Sequence, residues 1–178
     1  LKKYQTILAD PPWNMGTTGL YKIRKSRLAK LVYPLMSTDD IKKLPVRDFA
    51  EVGCHLWLWV TNSHLRDGFE VMEAWGFKYL APITWVKPSG LGNYFIHRTQ
   101  HILFGYKEKC CFPKDRYKPT VLFAKPLKHS QKPEESYEFI ESISPPPRLE
   151  LFARRKRKTL FGEEWDVWGN EVESDIEL

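Results

Sequence analysis

The stretch YQTILADPPW, residues 4–13, decides the fold. Residues 4–9 are a short run of mostly apolar and β-branched side chains, which predicts a strand. Asp10 follows at once, and Pro11-Pro12 ends the strand because proline has no N–H to give to a ladder. Reading outward, residues 54–60 (CHLWLWV), 80–86, 101–106, 120–124, 149–152 and 165–168 also read as strands. Three helices separate them. The first is capped by Ser37, with Asp40 at its third position, and stops at Pro45. The second is capped by Asn62 or Ser63, carries Leu65, Phe69, Met72 and Trp75, and closes at Gly76. The third starts at Pro133, with Glu134 and Glu135 in its first turn, and runs to about Ile143; Pro145-Pro146-Pro147 blocks any extension.

Strands alternating with helices predict an α/β fold, with a mostly parallel sheet and helices on both faces. One domain is expected over residues 1–178, without internal repeats. Residues 14–31 read as a long loop, Lys87-Pro88-Ser89-Gly90 as a turn, and residues 90–100 as a glycine- and aromatic-rich loop, so that 88–100 forms a second loop near a site. Ligands of such sheets sit at the carboxyl ends of the strands, where Asp10 and Arg154 fall.

Bulk composition narrows the partners. The 28 Lys and Arg outnumber the 22 Asp and Glu, giving a net charge of +6. That balance leans toward an anionic partner, most simply nucleic acid, although a solvated basic surface has the same signature. Cys54, Cys110 and Cys111 are odd in number and two are adjacent, which is no disulfide framework and no zinc pattern. They fit a reducing compartment, the nucleus of a eukaryote or the cytoplasm of a bacterium or phage, rather than secretion. No apolar run reaches the ~18 residues of a membrane span.

The residues after the first strand suit one chemistry. An exocyclic adenine amine is a poor nucleophile, because its lone pair is delocalised into the ring. Two acceptors on its hydrogens can free the lone pair and stabilise the charge that forms on alkylation. Asp10 offers a carboxylate and Pro11 a backbone carbonyl, while Pro11 and Pro12 stiffen the loop and remove two competing donors. Trp13 is expected to stack on the base, worth ~1–3 kcal/mol. A plain strand-turn with Trp13 in the core has the same sequence.

Further segments run in step with this one. Asp10-Pro11-Pro12-Trp13, Tyr33-Pro34-Leu35-Met36-Ser37, Leu58-Trp59-Val60-Thr61-Asn62, Trp85-Val86-Lys87-Pro88, His129-Ser130-Gln131-Lys132-Pro133, Leu149-Glu150-Leu151-Phe152-Ala153-Arg154 and Trp168-Gly169-Asn170-Glu171 occur in this order. In that order they resemble the MT-A70 family of adenine-N6 methyltransferases, over nearly the whole chain. The resemblance implies a Rossmann-like class I methyltransferase fold in permuted order, with S-adenosylmethionine as cofactor. It implies catalysis by Asp10, Pro11, Pro12 and Trp13, and cofactor binding by Asp10, Lys132, Glu150, Phe152, Arg154, Arg157, Asn170 and Glu171. Lys132 precedes a predicted helix N-terminus, a good seat for an anion. Ala153 stands where the family often has glycine, which narrows the room slightly. Arg154 to Lys158 (RRKRK) also reads as a solvated basic turn.

Lys22, Arg24, Lys25, Arg27 and Lys30 lie in the loop after the catalytic motif, where a substrate backbone would pass. The five histidines are scattered, with His129 nearest a predicted site, and none is expected to bind metal. Leu91-Gly92-Asn93-Tyr94-Phe95 and the Trp-Gly-Asn-Glu ending look closer to microbial and ciliate DNA-directed members than to the messenger-RNA enzyme, so DNA is favoured over RNA. The loop aromatics fit either base stacking or a partner, and the resemblance implies a heterodimer with a related, inactive subunit. The alternatives are an RNA methyltransferase and a non-catalytic nucleic-acid-binding subunit. Degenerate members typically lose the catalytic motif, which is intact here. Part of the cofactor's adenine pocket is expected from upstream of Leu1.

Overall fold

The structure, a computed structural model, describes residues 1–14, 35–92, 94–112, 117–127, 131–159 and 162–178. In chain order its elements are β1 (Tyr4–Ala9), α1 (Thr38–Lys43), α2 (Val46–Phe49), β2 (Ala50–Val60), a 3-10 turn (Asn62–His64), α3 (Leu65–Ala74), β3 (Lys78–Leu91), β4 (His97–Tyr106), β5 (Val121–Phe123), α4 (Glu134–Ile143), β6 (Arg148–Leu151), β7 (Arg157–Lys158) and β8 (Glu164–Trp168). The strands form one sheet in the order β5-β3-β4-β2-β1-β6-β8-β7. β2, β1, β6 and β8 are mutually parallel. β4 is reversed against both β2 and β3, β5 is parallel to β3, and β7 is reversed at the far edge. The sheet is thus mostly parallel, with β1 near its centre, as the sequence predicts.

Alternation along each strand builds two cores. Leu56, Leu58 and Val60 of β2 join Ile7, Leu149 and Leu151 on the face covered by α1 and α3, through Ile41, Val71, Met72 and Trp75. Trp57 and Trp59 point to the other face, with Leu8, Ile102, Phe104 and Trp165, under Tyr137, Ile140 and Ile143 of α4. Each fully buried side chain of this size contributes ~1.5–3 kcal/mol, so the two layers hold the strand ends in fixed positions.

The largest departure from expectation lies in residues 87–100. The expected turn at Lys87-Pro88-Ser89-Gly90 is strand, and β3 and β4 form a long hairpin closed at Leu91 and His97. The strand accommodates two prolines. Pro82 pairs with Leu103 on one side but lies short of β5, which meets only Thr84 to Val86, so its missing N–H faces no partner strand. Pro88 falls in the irregular stretch between Val86 and Leu91, where the ladder is interrupted. Phe69, expected in the core, is 38% exposed and packs edge-on against Tyr79. α3 opens through the 3-10 turn, without a side-chain cap from Asn62 or Ser63.

One buried polar network makes stability depend on pH. His55 Nε2 lies 2.8 Å from the Cys111 carbonyl, which can only accept, so Nε2 donates and Nδ1 accepts from Ser144 Oγ at 2.7 Å. The Trp57 indole N–H also donates to Ser144 Oγ, at 2.9 Å. Burial lowers the His55 pKa below the ordinary histidine range, against a smaller upward pull from the Cys111 carbonyl. The unfolded chain therefore takes up a proton that the folded one refuses. The neutral ring's contribution is complete above the ordinary histidine value, about 6.5, and is lost as pH falls from there toward the lowered folded value. The melting temperature should fall between pH 7 and pH 5, and His55→Gln should flatten that slope. Equal slopes in the two proteins would remove His55 as the cause.

Candidate active site

The carboxyl ends of β1, β2 and β6 meet around Asp10, with β8 next in the sheet beside β6. β1 delivers Asp10 directly, and the Asp10 N–H reaches the Leu151 carbonyl at 3.5 Å, tying the ends of β1 and β6 together. Asp10 Oδ2 accepts from Lys132 Nζ at 2.6 Å, with Lys132 10% and Asp10 33% exposed. The same ammonium lies 5.1 Å from the ring centre of Trp59, at the end of β2. Lys132 stands two residues before α4, and Pro133 occupies the helix N-cap.

Glu150 lies opposite Leu8 in the β1–β6 ladder and accepts from the Tyr137 hydroxyl at 2.7 Å. Burial pushes its carboxyl above the ordinary range; the Tyr137 hydrogen bond and the Arg157 charge pull downward, and the Asp10 charge adds to the rise. The sequence motifs do not single out Tyr137. Its position one turn into a helix opened by Pro133 is the available signal.

The Asp-Pro-Pro-Trp turn is held by its own backbone. The Pro11 carbonyl accepts the Trp13 N–H at 2.8 Å, and the Pro12 carbonyl accepts the Met36 N–H at 3.0 Å. Each carbonyl keeps a second lone pair for another donor. Trp13 departs from expectation. It is 5% exposed, its indole N–H donates to the Trp59 carbonyl at 3.0 Å, and its ring stacks on His64 at 5.5 Å. The geometry gives Trp13 the job of anchoring the turn to β2, in place of the base-stacking role expected of it.

Behind β6 the backbone is strained. Phe152 has φ +63, a left-handed conformation that non-glycine residues seldom adopt and that clusters at functional sites. It packs edge-on against Trp168 at 5.3 Å, and the Ala153 N–H donates to the Trp168 carbonyl at 2.9 Å. Arg154 pairs with Glu171 at 2.8 Å, which brings two predicted cofactor residues together. Asn170 lies exposed in the same turn.

The run at 154–158 is not a patch of free cations. Arg154 pairs with Glu171, Arg155 and Arg157 with Glu134, Lys156 with Asp175 and Lys158 with Glu164. Arg157, expected in a solvated turn or on the cofactor, lies in β7 with its guanidinium 3.4 Å over the Tyr137 ring. It clamps the first turn of α4 to the sheet. Lys22, Arg24, Lys25, Arg27, Lys30 and His129 lie outside the described residues. Among the described residues no group of three or more His, Cys, Asp or Glu is placed to hold a metal.

The cluster has the donors and the open backbone that a polar cofactor needs. Among the described residues, the Trp59 Nε1 and Arg157 Nε donors are buried and find no partner. Leaving a buried donor unpaired costs ~1–3 kcal/mol, a cost a polar ligand would remove. Both adjoin the cluster, Trp59 through Lys132 and Arg157 through Tyr137. Gly169 meets Ala153 backbone to backbone, leaving the ends of β6 and β8 bare of side chains there. An ammonium, two carboxylates, an amide and unpaired N–H groups suit an amino-acid-bearing nucleoside.

A mostly parallel, doubly covered sheet with its polar cluster at the carboxyl ends of the central strands is a Rossmann-like methyltransferase fold. The chain belongs to the MT-A70 family, whose profile matches residues 4–171. It is 32% identical over 164 residues to a probable N(6)-adenosine-methyltransferase MT-A70-like of Oryza sativa subsp. japonica, covering 86% of this chain and 21% of that protein. It is 29% identical over 197 residues to the type II methyltransferase M.MunI of a Mycoplasma species, covering 99% and 82%. It is 28% identical over 183 residues to the human N(6)-adenosine-methyltransferase catalytic subunit METTL3, covering 97% and 29%. The chain thus spans about a fifth to three-tenths of those adenosine methyltransferases and four-fifths of the bacterial protein.

Proposed function

We propose that this domain transfers a methyl group from S-adenosylmethionine to the N6 amine of adenine in nucleic acid, in DNA rather than RNA. The observation that carries the reading is the Asp10–Lys132 pair, 2.6 Å apart at the carboxyl end of a central parallel strand. The cofactor, when bound, supplies an electrophilic methyl on sulfur. Asp10 and the Pro11 carbonyl would accept from the two amine hydrogens and stabilise the charge that develops on nitrogen. Lys132 holds the Asp10 side chain in place and offers its remaining N–H groups to an anionic group of the cofactor. Glu150, Arg154, Asn170 and Glu171 supply acceptors and donors for its hydroxyl and amine edges, and Phe152 an apolar surface.

DNA is favoured by the family resemblance of residues 91–95 and of the Trp-Gly-Asn-Glu ending. A related, inactive partner subunit is part of the proposal. Its support is the hairpin tip, where Leu91, Tyr94, Phe95 and Ile96 are 83%, 79%, 78% and 61% exposed, an apolar cluster that single chains seldom leave uncovered. The compartment proposed is the nucleus of a eukaryote or the cytoplasm of a bacterium or phage.

The test is tritium transfer from labelled S-adenosylmethionine to matched DNA and RNA oligonucleotides, with and without a related subunit. The expected product is N6-methyladenine, with DNA labelled several times faster than RNA. Faster labelling of RNA would reverse the preference, and an assembled complex that labels neither would remove the reading.

A further inference from the structure

A groove of about 830 Å³ opens between the β3–β5 edge and the first turns of α4. Lys87, Arg98, Phe123 and Lys125 line it from the strand side, and Glu134, Glu135 and Glu138 line it from α4. Among the described residues none of the three cations pairs with a carboxylate. The Arg98 Nε–H donates to the Lys87 carbonyl at 3.0 Å, which fixes that side chain along the wall. This contrasts with the 154–158 run, where every cation is paired.

The groove is linked to the Asp10 cluster by a series of neighbouring rings and charges that passes through the buried Trp85 and Trp59. Lys87 Nζ lies 5.5 Å from the Trp85 ring centre, Trp85 meets Trp59 edge-on at 5.9 Å, and Lys132 lies 5.1 Å over Trp59. The Lys87 ammonium feels Lys132: burial first, and the Lys132 charge second, lower its pKa. Phe123, at the end of β5, is 75% exposed beside this cationic wall.

We infer that this groove binds the single-stranded nucleotides flanking the target base, with Lys87, Arg98 and Lys125 on phosphates and Phe123 stacked on a base. The inference rests on the proposed action on nucleic acid. A cationic wall beside an exposed aromatic is how strands with unstacked bases are held; a paired duplex would offer Phe123 no base face. The carboxylates opposite keep phosphates to one side and can accept from base amino groups. Glu134, which lines the groove from the first turn of α4, is already neutralised by Arg155 and Arg157.

The test measures binding of a fluorescent adenine-containing single-stranded oligonucleotide across a salt series, alongside methyl transfer at saturating oligonucleotide. It uses the full assembled protein. Arg98→Ala with Lys125→Ala should weaken binding tenfold or more and make the salt dependence shallower by about 0.7 for each phosphate that is no longer neutralised. Phe123→Ser should weaken binding roughly 5- to 100-fold with the salt slope unchanged. In both, S-adenosylmethionine affinity and the saturated rate should stay near wild type. A wild-type protein that methylates while the variants bind oligonucleotide normally would overturn the groove and leave the proposed function standing. Groove-dependent binding without methylation by the wild type would do the reverse. Variants that lose only association with a partner protein would assign the groove to that partner and overturn the inference.

Discussion

Replacing Asp10 with asparagine is expected to lower methyl transfer about a hundred- to a thousandfold, the scale seen when one preorganised electrostatic contact to developing charge is removed. Asparagine keeps the shape and one oxygen but replaces the other oxygen with an amide that donates. It could then offer the amine a donor where an acceptor is needed, and it carries no charge to oppose the one forming on nitrogen. Asp10 Oδ2 also holds Lys132 at 2.6 Å, so the substitution loosens an ammonium that is 10% exposed. Asp10 itself is one-third exposed, and its backbone, not its side chain, ties β1 to β6. The fold should therefore survive, with a melting temperature within a few degrees of wild type. Single-turnover transfer, read beside thermal unfolding, checks both halves. Activity within threefold of wild type in a folded Asp10→Asn protein would remove the carboxylate from the chemistry.

How much of this is legible in the chain varies with the range of the interactions. The β1 strand and its stop at Asp10 are readable to the residue, because proline ends a ladder locally and no distant group can restore the missing N–H. Ser37 is readable as a cap for the same reason: its hydroxyl bonds a backbone N–H only three residues on. The β3–β4 hairpin is not legible beyond residue 86, since Lys87-Pro88-Ser89-Gly90 has the composition of a turn and only the partner strand shows that the ladder resumes at Leu91. The site divides in the same way. The motifs mark Asp10 and Lys132 separately, and their meeting across 122 positions is a consequence of β1 lying beside β6 while α4 feeds it. Trp13 is ambiguous in the sequence because an aromatic after a turn serves equally as a platform or an anchor, and only the Trp59 carbonyl and His64 show the anchoring contacts. The RRKRK run is ambiguous because its acids come from four other places in the chain: α4, β8, the turn after it and the C-terminal segment.

Gly169→Val should damage cofactor binding although the position lies away from the reacting groups. A Cβ at Gly169 would lie 2.1 Å from the Ala153 carbonyl oxygen and 2.9 Å from its nitrogen. Those are backbone atoms, so no side-chain rotation can make room. Ala153 in turn is bonded to the Trp168 carbonyl and follows Phe152 in its left-handed conformation, so pushing it away moves the ends of β6 and β8 together. Arg154, Asn170 and Glu171 ride on those ends. Overpacking of this kind costs ~1–3 kcal/mol. For a chain of this size that corresponds to a drop of roughly 2–12 °C in melting temperature. S-adenosylmethionine affinity should fall more than stability does, by tenfold or more, because the displaced residues are those assigned to the cofactor. Gly162→Ala supplies the comparison. Its φ is +84 but among the described residues nothing lies within 4 Å of the added carbon, so it incurs conformational strain, roughly 1–2 kcal/mol. It should melt slightly lower and bind the cofactor as wild type does. Calorimetric titration of both variants decides the matter: if Gly169→Val binds as tightly as Gly162→Ala, the bare backbone crossing is a packing detail and the cofactor lies elsewhere.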